Sequence, residues 1–175
     1  MSNVEREEML TQDYLIGALD YDPKTGIFIW KFRADCSSSF NGKWAGKKAG
    51  TLNWQGRVMI VINGTKFAAH RLAWLYVYGT WPENNIDHIN GDPSDNRIEN
   101  LRDVSHAENM QNLRGAKQNN RTGHLGVCFD KRWGKFEARI AANGKRTSLG
   151  RFDTAEEAGE AYLAAKRALH STCSI

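Results

Sequence analysis

Four side chains in one short stretch have the chemistry of a hydrolytic site. Asp87 and His88 are adjacent, and Asn100 and Asn109 follow them in the chain. Histidine exchanges a proton near neutral pH, and carboxylate and amide oxygens are donors for hard divalent cations. Taken alone, an Asp-His pair is more typical of a surface turn or a satisfied hydrogen-bonded pair, and each asparagine of an ordinary turn or cap. The four residues therefore indicate a site only if their local structure brings them together.

The pattern around these residues predicts a compact supersecondary unit. Residues 86–89 are predicted to form a short strand, followed by a turn at Asn90-Gly91 and a polar loop over 92–96. Apolar residues at 98, 101 and 104 predict a second strand. The capping box Ser105-x-x-Glu108 predicts a helix that runs from 105 to about 114. Asn109 then lies one turn into the helix and faces back toward the first strand.

Asp87-His88, Asn100 and Asn109 at this spacing resemble the HNH nucleases, whose site is a ββα-metal finger. The match is to the subgroup that has asparagine as the third letter. The surrounding residues 69–74 and 96–101 are similar to the phage-type homing HNH endonucleases. The resemblance covers roughly residues 14–112 and implies a metal-dependent nuclease that acts on DNA.

The resemblance implies a role for each of the four residues. His88 is the expected general base for the attacking water, and the Asn100 side-chain oxygen is expected to accept the proton on its other ring nitrogen. Asp87 and Asn109 are the expected metal ligands, for Mg²⁺ with Mn²⁺ able to substitute. Neighbours on a regular strand point to opposite faces. Asp87 and His88 therefore converge on one phosphate only if the strand is irregular or the metal lies at its edge.

Two further histidines remain open as members of the site. His106 is three residues before Asn109 and shares its helix face, so it is either a metal ligand or a surface residue at the helix start. His70 is similar to a family position. It is expected to be structural, with a place in the wall of the active site as the alternative.

The residues before this region are predicted to form its scaffold. They read as two helices, one strand, one hairpin and the turns and loops between them. The predicted elements are a helix over 10–19, a turn over 20–26, a strand over 27–32, a loop over 35–50, a hairpin over 57–68 with a type I′ turn at Asn63-Gly64, and a helix over 69–78.

The last fifty residues predict a second, separate unit. Strand patterns at 125–129, 135–140 and 146–150, with turns at 130–134 and Asn143-Gly144, precede a helix that starts at the Thr154-x-x-Glu157 capping box. This block resembles the ethylene-response-factor (Apetala-type) DNA-binding domain of plants. The resemblance covers about residues 123–168 and is carried mainly by 133–140 and 149–158. The first strand has fewer arginines than the plant pattern, so the base sequence that it recognises cannot be transferred.

Alternation in the middle strand predicts which residues lie on the outer face of this unit, where a polyanion could bind. Phe136, Ala138 and Ile140 are expected to face the helix, so the residues between them face outward. A three-stranded sheet that presents Arg and Trp can enter a major groove, where arginine recognises guanine. The alternative is a solvated face with ordinary charges. The candidate DNA-binding residues are Arg121, Arg132, Trp133, Lys135, Glu137, Arg139, Arg146 and Ser148.

The amino-acid composition indicates the kind of partner that the protein binds and the cellular compartment in which it is expected. The formal net charge is only +4, but residues 110–151 hold ten Lys or Arg against two acids, which is the footprint of a nucleic-acid partner. The three cysteines are scattered with no Cys-x-x-Cys pair, which argues against a disulfide framework or a structural zinc site. Without a long apolar run or a signal sequence, no membrane contact is expected. The expected location is the cytoplasm, that of the host cell if a bacteriophage encodes the protein.

The sequence therefore predicts an α+β protein with two domains. Residues 1–113 form a nuclease domain with a β-rich N-terminal scaffold and a finger at about 84–113, 114–123 a basic linker, and 124–175 a three-stranded antiparallel sheet packed on one helix. The expected function is site-specific cleavage of double-stranded DNA, as a homing-type enzyme that nicks, with a monomer expected and a dimer left open. The two rivals are a DNA-binding regulator with an inactive HNH fold and a module that binds RNA or protein through the basic sheet.

Overall fold

The computed structural model describes residues 10–112, 115–116, 120–142 and 145–169. The chain divides into two compact units, the first ending at His106 and the second beginning at Ala107. The predicted domain limits stay a prediction, because part of the basic linker over 114–123 lies outside the described residues.

The first unit begins with a scaffold of short elements around one apolar core. Strands β1 and β2 form an antiparallel ribbon, and β3, β4 and β5 form a three-stranded antiparallel sheet in that order. The core is shared between these sheets and two helices, with Leu15, Phe28, Ile60 and Leu72 almost fully buried. The elements are α1 (Gln12–Ala18), β1 (Leu19–Asp22), β2 (Ile27–Trp30), α2 (Ser38–Trp44), β3 (Thr51–Leu52), β4 (Val58–Ile62), β5 (Thr65–Ala68) and α3 (Ala69–Tyr78).

The predicted hairpin and the helix after it are confirmed. Asn63 and Gly64 both have positive φ angles, of 50° and 77°, as a type I′ turn requires. Helix α3 has the predicted bounds and ends at Gly79 in the left-handed conformation.

Two scaffold predictions are wrong in part. The predicted loop over 35–50 contains α2, whose first turn is capped by the Ser37 hydroxyl. This helix buries few side chains, so hydrophobic periodicity does not reveal it. The predicted turn over 20–26 starts instead as β1, because Leu19 and Tyr21 alternate into the core opposite Trp30 and Phe28.

The predicted strand, loop, strand and helix follow in order. They are β6 (Asn85–His88), a 3₁₀ turn (Ile98–Asn100), β7 (Leu101–Val104) and α4 (His106–Gln111). Strands β6 and β7 pair antiparallel, with Asp87 opposite Arg102 and His88 opposite Leu101. The second strand is shorter than predicted because Ile98 belongs to the 3₁₀ turn. The helix starts within one residue of its predicted position, and its predicted end at 114 lies outside the described residues.

The second unit is a sheet covered on one face by a helix. It contains β8 (Val127–Asp130), β9 (Lys135–Ala142), β10 (Lys145–Phe152) and α5 (Ala155–Leu169), with sheet order β10-β9-β8. Val127, Ala138 and Ala158 form the buried centre between sheet and helix. The capping box is confirmed, since Glu157 N donates to Thr154 Oγ1 at 3.2 Å and Thr154 N to Glu157 Oε2 at 3.3 Å. The predicted turn at Asn143-Gly144 lies outside the described residues.

The predicted α+β class, with a C-terminal three-stranded sheet on one helix, is confirmed. Of the helices within the described ranges, none is both long and apolar enough to cross a membrane.

Candidate active site and DNA-binding face

His88 is the last residue of β6 and lies half-buried against the first turn of α3. Its ring meets that of His70 edge to face, with centroids 5.2 Å apart and an interplanar angle of 81°. His70 itself is only 6% exposed. The structure therefore places His70 beside His88, which favours the alternative that His70 lines the site.

Burial and nearby charges keep His88 and His70 in their neutral forms. Burial lowers the pKa of His88, and the Arg57 charge adds to this, although the nearby Asn96 side chain and the carboxylate of Asp87 act in the opposite direction. Burial lowers the pKa of His70 to about 3, with smaller contributions from His88, Arg57 and Arg71. A neutral imidazole at position 88 has the lone pair that a general base needs.

Asn100 does not make the predicted hydrogen bond to His88. Its side-chain oxygen accepts from Asn90 N at 2.9 Å, and its amide nitrogen donates to Asn90 Oδ1 at 3.0 Å and to Asp95 O at 2.8 Å. Its backbone oxygen accepts from Ile89 N at 2.9 Å. Asn100 therefore fastens the turn that follows His88, and the prediction that it orients the His88 ring is corrected.

Asn96 is a polar neighbour of His88, and the sequence suggested it only as a turn residue. Asn96 is 2% exposed. Its amide nitrogen donates to Ser94 O at 3.0 Å, and its backbone oxygen accepts from the Tyr21 hydroxyl at 2.7 Å. Among the described residues, Asn96 Oδ1 and His88 Nε2 are both buried without a hydrogen bond of good geometry.

The N-terminal ribbon holds the loop that carries Asn96. Ile98 N donates to Pro23 O at 3.3 Å. Gly26 has a φ of +70° and lies so close that a Cβ at this position would come within 2.4 Å of the Asn96 carbonyl carbon. A residue other than glycine would thus push the Asn96 loop away. The scaffold therefore fixes the position of the polar loop beside His88.

Asp87 lies across the ladder from Arg102. Arg102 Nη2 and Nε donate to Asp87 Oδ2 at 2.7 and 3.0 Å, and both side chains are more than three-quarters buried. The pairing from Asn85 to His88 is regular, so Asp87 and His88 project from opposite faces of the strand. The strand is therefore regular at Asp87 and His88, and a metal at its edge stays a prediction.

Asn109 and His106 both lie on α4. Asn109 is half-buried and His106 is exposed. Asn109 belongs to the second compact unit, and its role as a metal ligand stays a prediction. The described residues contain no group of three or more His, Cys, Asp or Glu side chains placed to hold a metal ion.

The strand register of the second unit places the predicted DNA-binding residues of β9 and β10 on one face. Ser148 lies opposite Arg139, and Arg146 opposite Ala141, on the face away from α5. Glu137 lies at the centre of this face with its side chain 5% exposed. Its carboxylate accepts from Arg139 Nη2 at 2.6 Å and from Ser148 Oγ at 2.8 Å. These two donors hold the pKa of Glu137 at about 2, so it is ionised and fixes the Arg139 guanidinium.

Arg151 joins this face although simple alternation along β10 would not place it there. A β-bulge between Ser148 and Gly150 shifts the register, so that Arg151 lies opposite Glu137. The Arg151 guanidinium stacks over the ring of Trp133, 5.1 Å from its centroid, and Trp133 is 60% exposed.

The remaining predicted DNA-binding residues are also solvent-accessible. Lys135 forms an exposed ion pair with Asp153 at 3.0 Å. Arg121 lies in the turn region before β8, Arg132 in the β8–β9 turn, and Arg146 near the start of β10; all three are exposed. Their contacts with DNA remain a prediction.

Comparisons with known proteins identify two parts of the chain. Residues 67–111 match the HNH endonuclease family, and residues 122–172 match the AP2 domain. Among solved structures, the chain is similar to the HNH homing endonuclease I-HmuI, described in work on its DNA binding and cleavage. The identity is 19%, the match covers 82% of this chain and 76% of that one, and the TM-score is 0.42. No curated protein matches the chain.

The segment that matches the HNH endonuclease family includes α3, β6, β7 and α4. The segment that matches the AP2 domain contains β8, β9, β10 and α5.

Proposed function

We propose that the protein is a site-specific endonuclease of the homing type that nicks double-stranded DNA. His88 acts as the general base, and the AP2-type sheet recognises the target. The observation that carries this proposal is the neutral, half-buried His88 at the end of β6, within the segment that matches the HNH endonucleases. A plasmid-nicking assay with Mg²⁺ tests it, since conversion of supercoiled to open-circular DNA reports a single cut.

The residues of the site divide the work of hydrolysis. His88 takes a proton from the attacking water, and the fastened turn at Asn90 and Asn100 keeps His88 at the end of its strand. Phosphate contacts would fix the register of the duplex, while the outward face of the AP2-type sheet would supply most of the sequence specificity.

Asp87 and Asn109 would hold a divalent cation. Carboxylate and amide oxygens suit Mg²⁺ or Mn²⁺, and the Asp87 carboxylate is oriented by hydrogen bonds from Arg102, as ligating carboxylates commonly are. When bound, the cation would neutralise charge on the phosphate and on the departing 3′ oxygen.

Replacement of Arg102 by alanine is expected to raise the Mg²⁺ concentration needed for half-maximal nicking. Loss of an outer hydrogen-bonding partner typically costs about 10–100-fold in metal affinity or activity. The measurement is nicking rate against Mg²⁺ concentration, with Arg97→Ala as a matched control because Arg97 pairs with Asp95 and Glu99 instead. A lower Mg²⁺ requirement in Arg102→Ala would mean that Arg102 competes with the metal.

Exhaustive chelation is expected to abolish nicking, with activity restored by Mg²⁺ and also by Mn²⁺. Two oxygen ligands leave the remaining positions to water and phosphate, an arrangement that magnesium accepts and zinc does not favour. Asn109→His is expected to shift the preference toward Zn²⁺ or Ni²⁺. If zinc restores the activity of the wild-type protein better than magnesium does, Asp87 and Asn109 are not the main protein ligands. His106 then belongs to the metal site.

A DNA-binding regulator with an inactive HNH fold is the second candidate. The ion pair between Asp87 and Arg102 favours it, because the pair already occupies one oxygen of the carboxylate that would bind metal. Specific DNA binding without nicking at any divalent metal tested would establish this function.

A further inference from the structure

The buried environment of His88 contains polar atoms whose partners are incomplete. Within the described residues, three buried side-chain polar atoms lack a hydrogen bond of good geometry: His70 Nδ1, His88 Nε2 and Asn96 Oδ1. An unsatisfied buried polar group is energetically costly, so such atoms are rare in folded proteins. One of these atoms is on His88, and one is on His70, whose ring contacts that of His88. The third is on Asn96, which lies beside His88.

The chemistry of two of these atoms is complementary. A neutral imidazole carries a proton on one nitrogen and a lone pair on the other, whereas an amide oxygen only accepts. If His88 carries its proton on Nε2, this proton needs an acceptor in the buried side of the site. Asn96 Oδ1 needs a donor, and a proton on His88 Nε2 would supply one.

The orientation of the Asn96 amide is fixed independently of His88. Its nitrogen is committed to Ser94 O, so the oxygen must occupy the other branch of the amide. Its backbone is held by the Tyr21 hydroxyl and by the close approach of Gly26. On the other side, the edge-to-face contact with His70 limits rotation of the His88 ring. A hydrogen bond between Asn96 Oδ1 and His88 Nε2 would give both buried atoms a partner.

We propose that Asn96 is the positioning residue of the general base: its Oδ1 accepts a hydrogen bond from His88 Nε2, fixing the tautomer that presents the lone pair of Nδ1 to the attacking water. The role of the tautomer in cleavage rests on the proposed nuclease function, but the tautomer itself does not. Asn96 takes the part that the sequence suggested for Asn100.

The tautomer is measured first, on the full chain without DNA. Histidine labelled with ¹⁵N gives distinct ring-nitrogen shifts for the two tautomers, and comparison with His88→Gln assigns the signals of His88. Wild-type His88 is expected to carry its proton on Nε2, and Asn96→Ala to give a mixture of tautomers. Asn96→Asp keeps an accepting oxygen and is expected to retain the wild-type tautomer. A proton on Nδ1 in the wild type, or an unchanged tautomer in Asn96→Ala, overturns the proposal.

Cleavage is measured next, in single turnover on plasmid DNA with Mg²⁺ and saturating protein. Asn96→Ala is expected to lower the rate about 10–100-fold, the size of effect that orienting partners have at comparable sites, with the DNA Kd within about twofold. Asn96→Asp is expected to recover part of the rate, because it keeps the accepting oxygen but loses the donor to Ser94 O. Tyr21→Phe is the matched control, because it removes an anchor of the same loop while leaving the Asn96 amide in place.

The two experiments distinguish failure of the nuclease function from failure of the hydrogen bond between His88 and Asn96. If wild-type protein does not nick but shows the Nε2 tautomer that Asn96→Ala loses, the proposed nuclease function fails and the hydrogen bond stands. If Tyr21→Phe slows cleavage as much as Asn96→Ala, the effect comes from the loop as a whole and the positioning role is wrong. If Asn96→Ala does not fold, the wild-type tautomer and the behaviour of Asn96→Asp decide.

Discussion

Replacing His88 with alanine is expected to reduce the rate of DNA nicking by ~10²–10⁴-fold, the contribution that a positioned general base typically makes. Among the titratable side chains of the site, His88 has the environment that this role requires. It is half-buried, its pKa is lowered mainly by burial, and it lies at the end of β6, which the Asn100 contacts fasten. Binding of DNA is expected to change little, because the AP2-type sheet lies in the other compact unit.

The measurement is the single-turnover nicking rate, with a DNA-binding titration of the same preparation as its control. His106→Ala is a matched variant, since His106 is an exposed histidine at the start of α4. It is expected to retain activity. A rate for His88→Ala within about threefold of wild type would mean that another group takes the proton, because the loss of a general base is much larger.

The sequence locates His88 and Asp87 because their positions depend on local structure. Apolar residues around them predict a strand, and Asn90-Gly91 predicts the turn that ends it, so the order of elements follows from residues close in the chain. The hydrogen bonding of Asn96 and Asn100 does not follow from residues close in the chain. Asn96 is fixed by Tyr21, 75 residues earlier in the chain, and Asn100 is drawn to Asn90 across the loop. Nothing in the spacing distinguishes which amide faces the imidazole.

In the AP2-type sheet, too, the sequence predicts the positions that depend on a regular strand and misses those that depend on an irregularity. Alternation along β9 places Glu137 and Arg139 correctly on the outward face, since the strand is regular there. It fails for β10 beyond Ser148, because the bulge at Leu149-Gly150 inserts a residue and turns Arg151 outward. A glycine within a strand is a weak signal for a bulge, and here Gly150 has a φ of 130° that other residues rarely adopt.

Replacing Arg139 or Arg146 with alanine is expected to weaken specific DNA binding by about 1–3 kcal/mol each, if each forms a bidentate contact with a base. Arg139 has the stronger structural case. Its guanidinium is held by the ionised Glu137, which Ser148 fixes in turn, so less side-chain freedom is lost when DNA binds. Arg146 lies on the same face near the start of β10, opposite Ala141.

The test needs a target, which cleavage mapping on a random-site library would supply. The Kd of each variant is then measured for the target and for an unrelated duplex at one physiological salt concentration. Loss of a base contact lowers affinity for the target much more than for the unrelated duplex, whereas loss of a phosphate contact lowers both and reduces the salt dependence. Lys145→Ala is the matched control, because Lys145 is exposed next to Arg146 but pairs with Ala142 and so projects from the opposite face. If both arginine variants bind the target as wild type does, the outward face of the sheet does not recognise the DNA sequence.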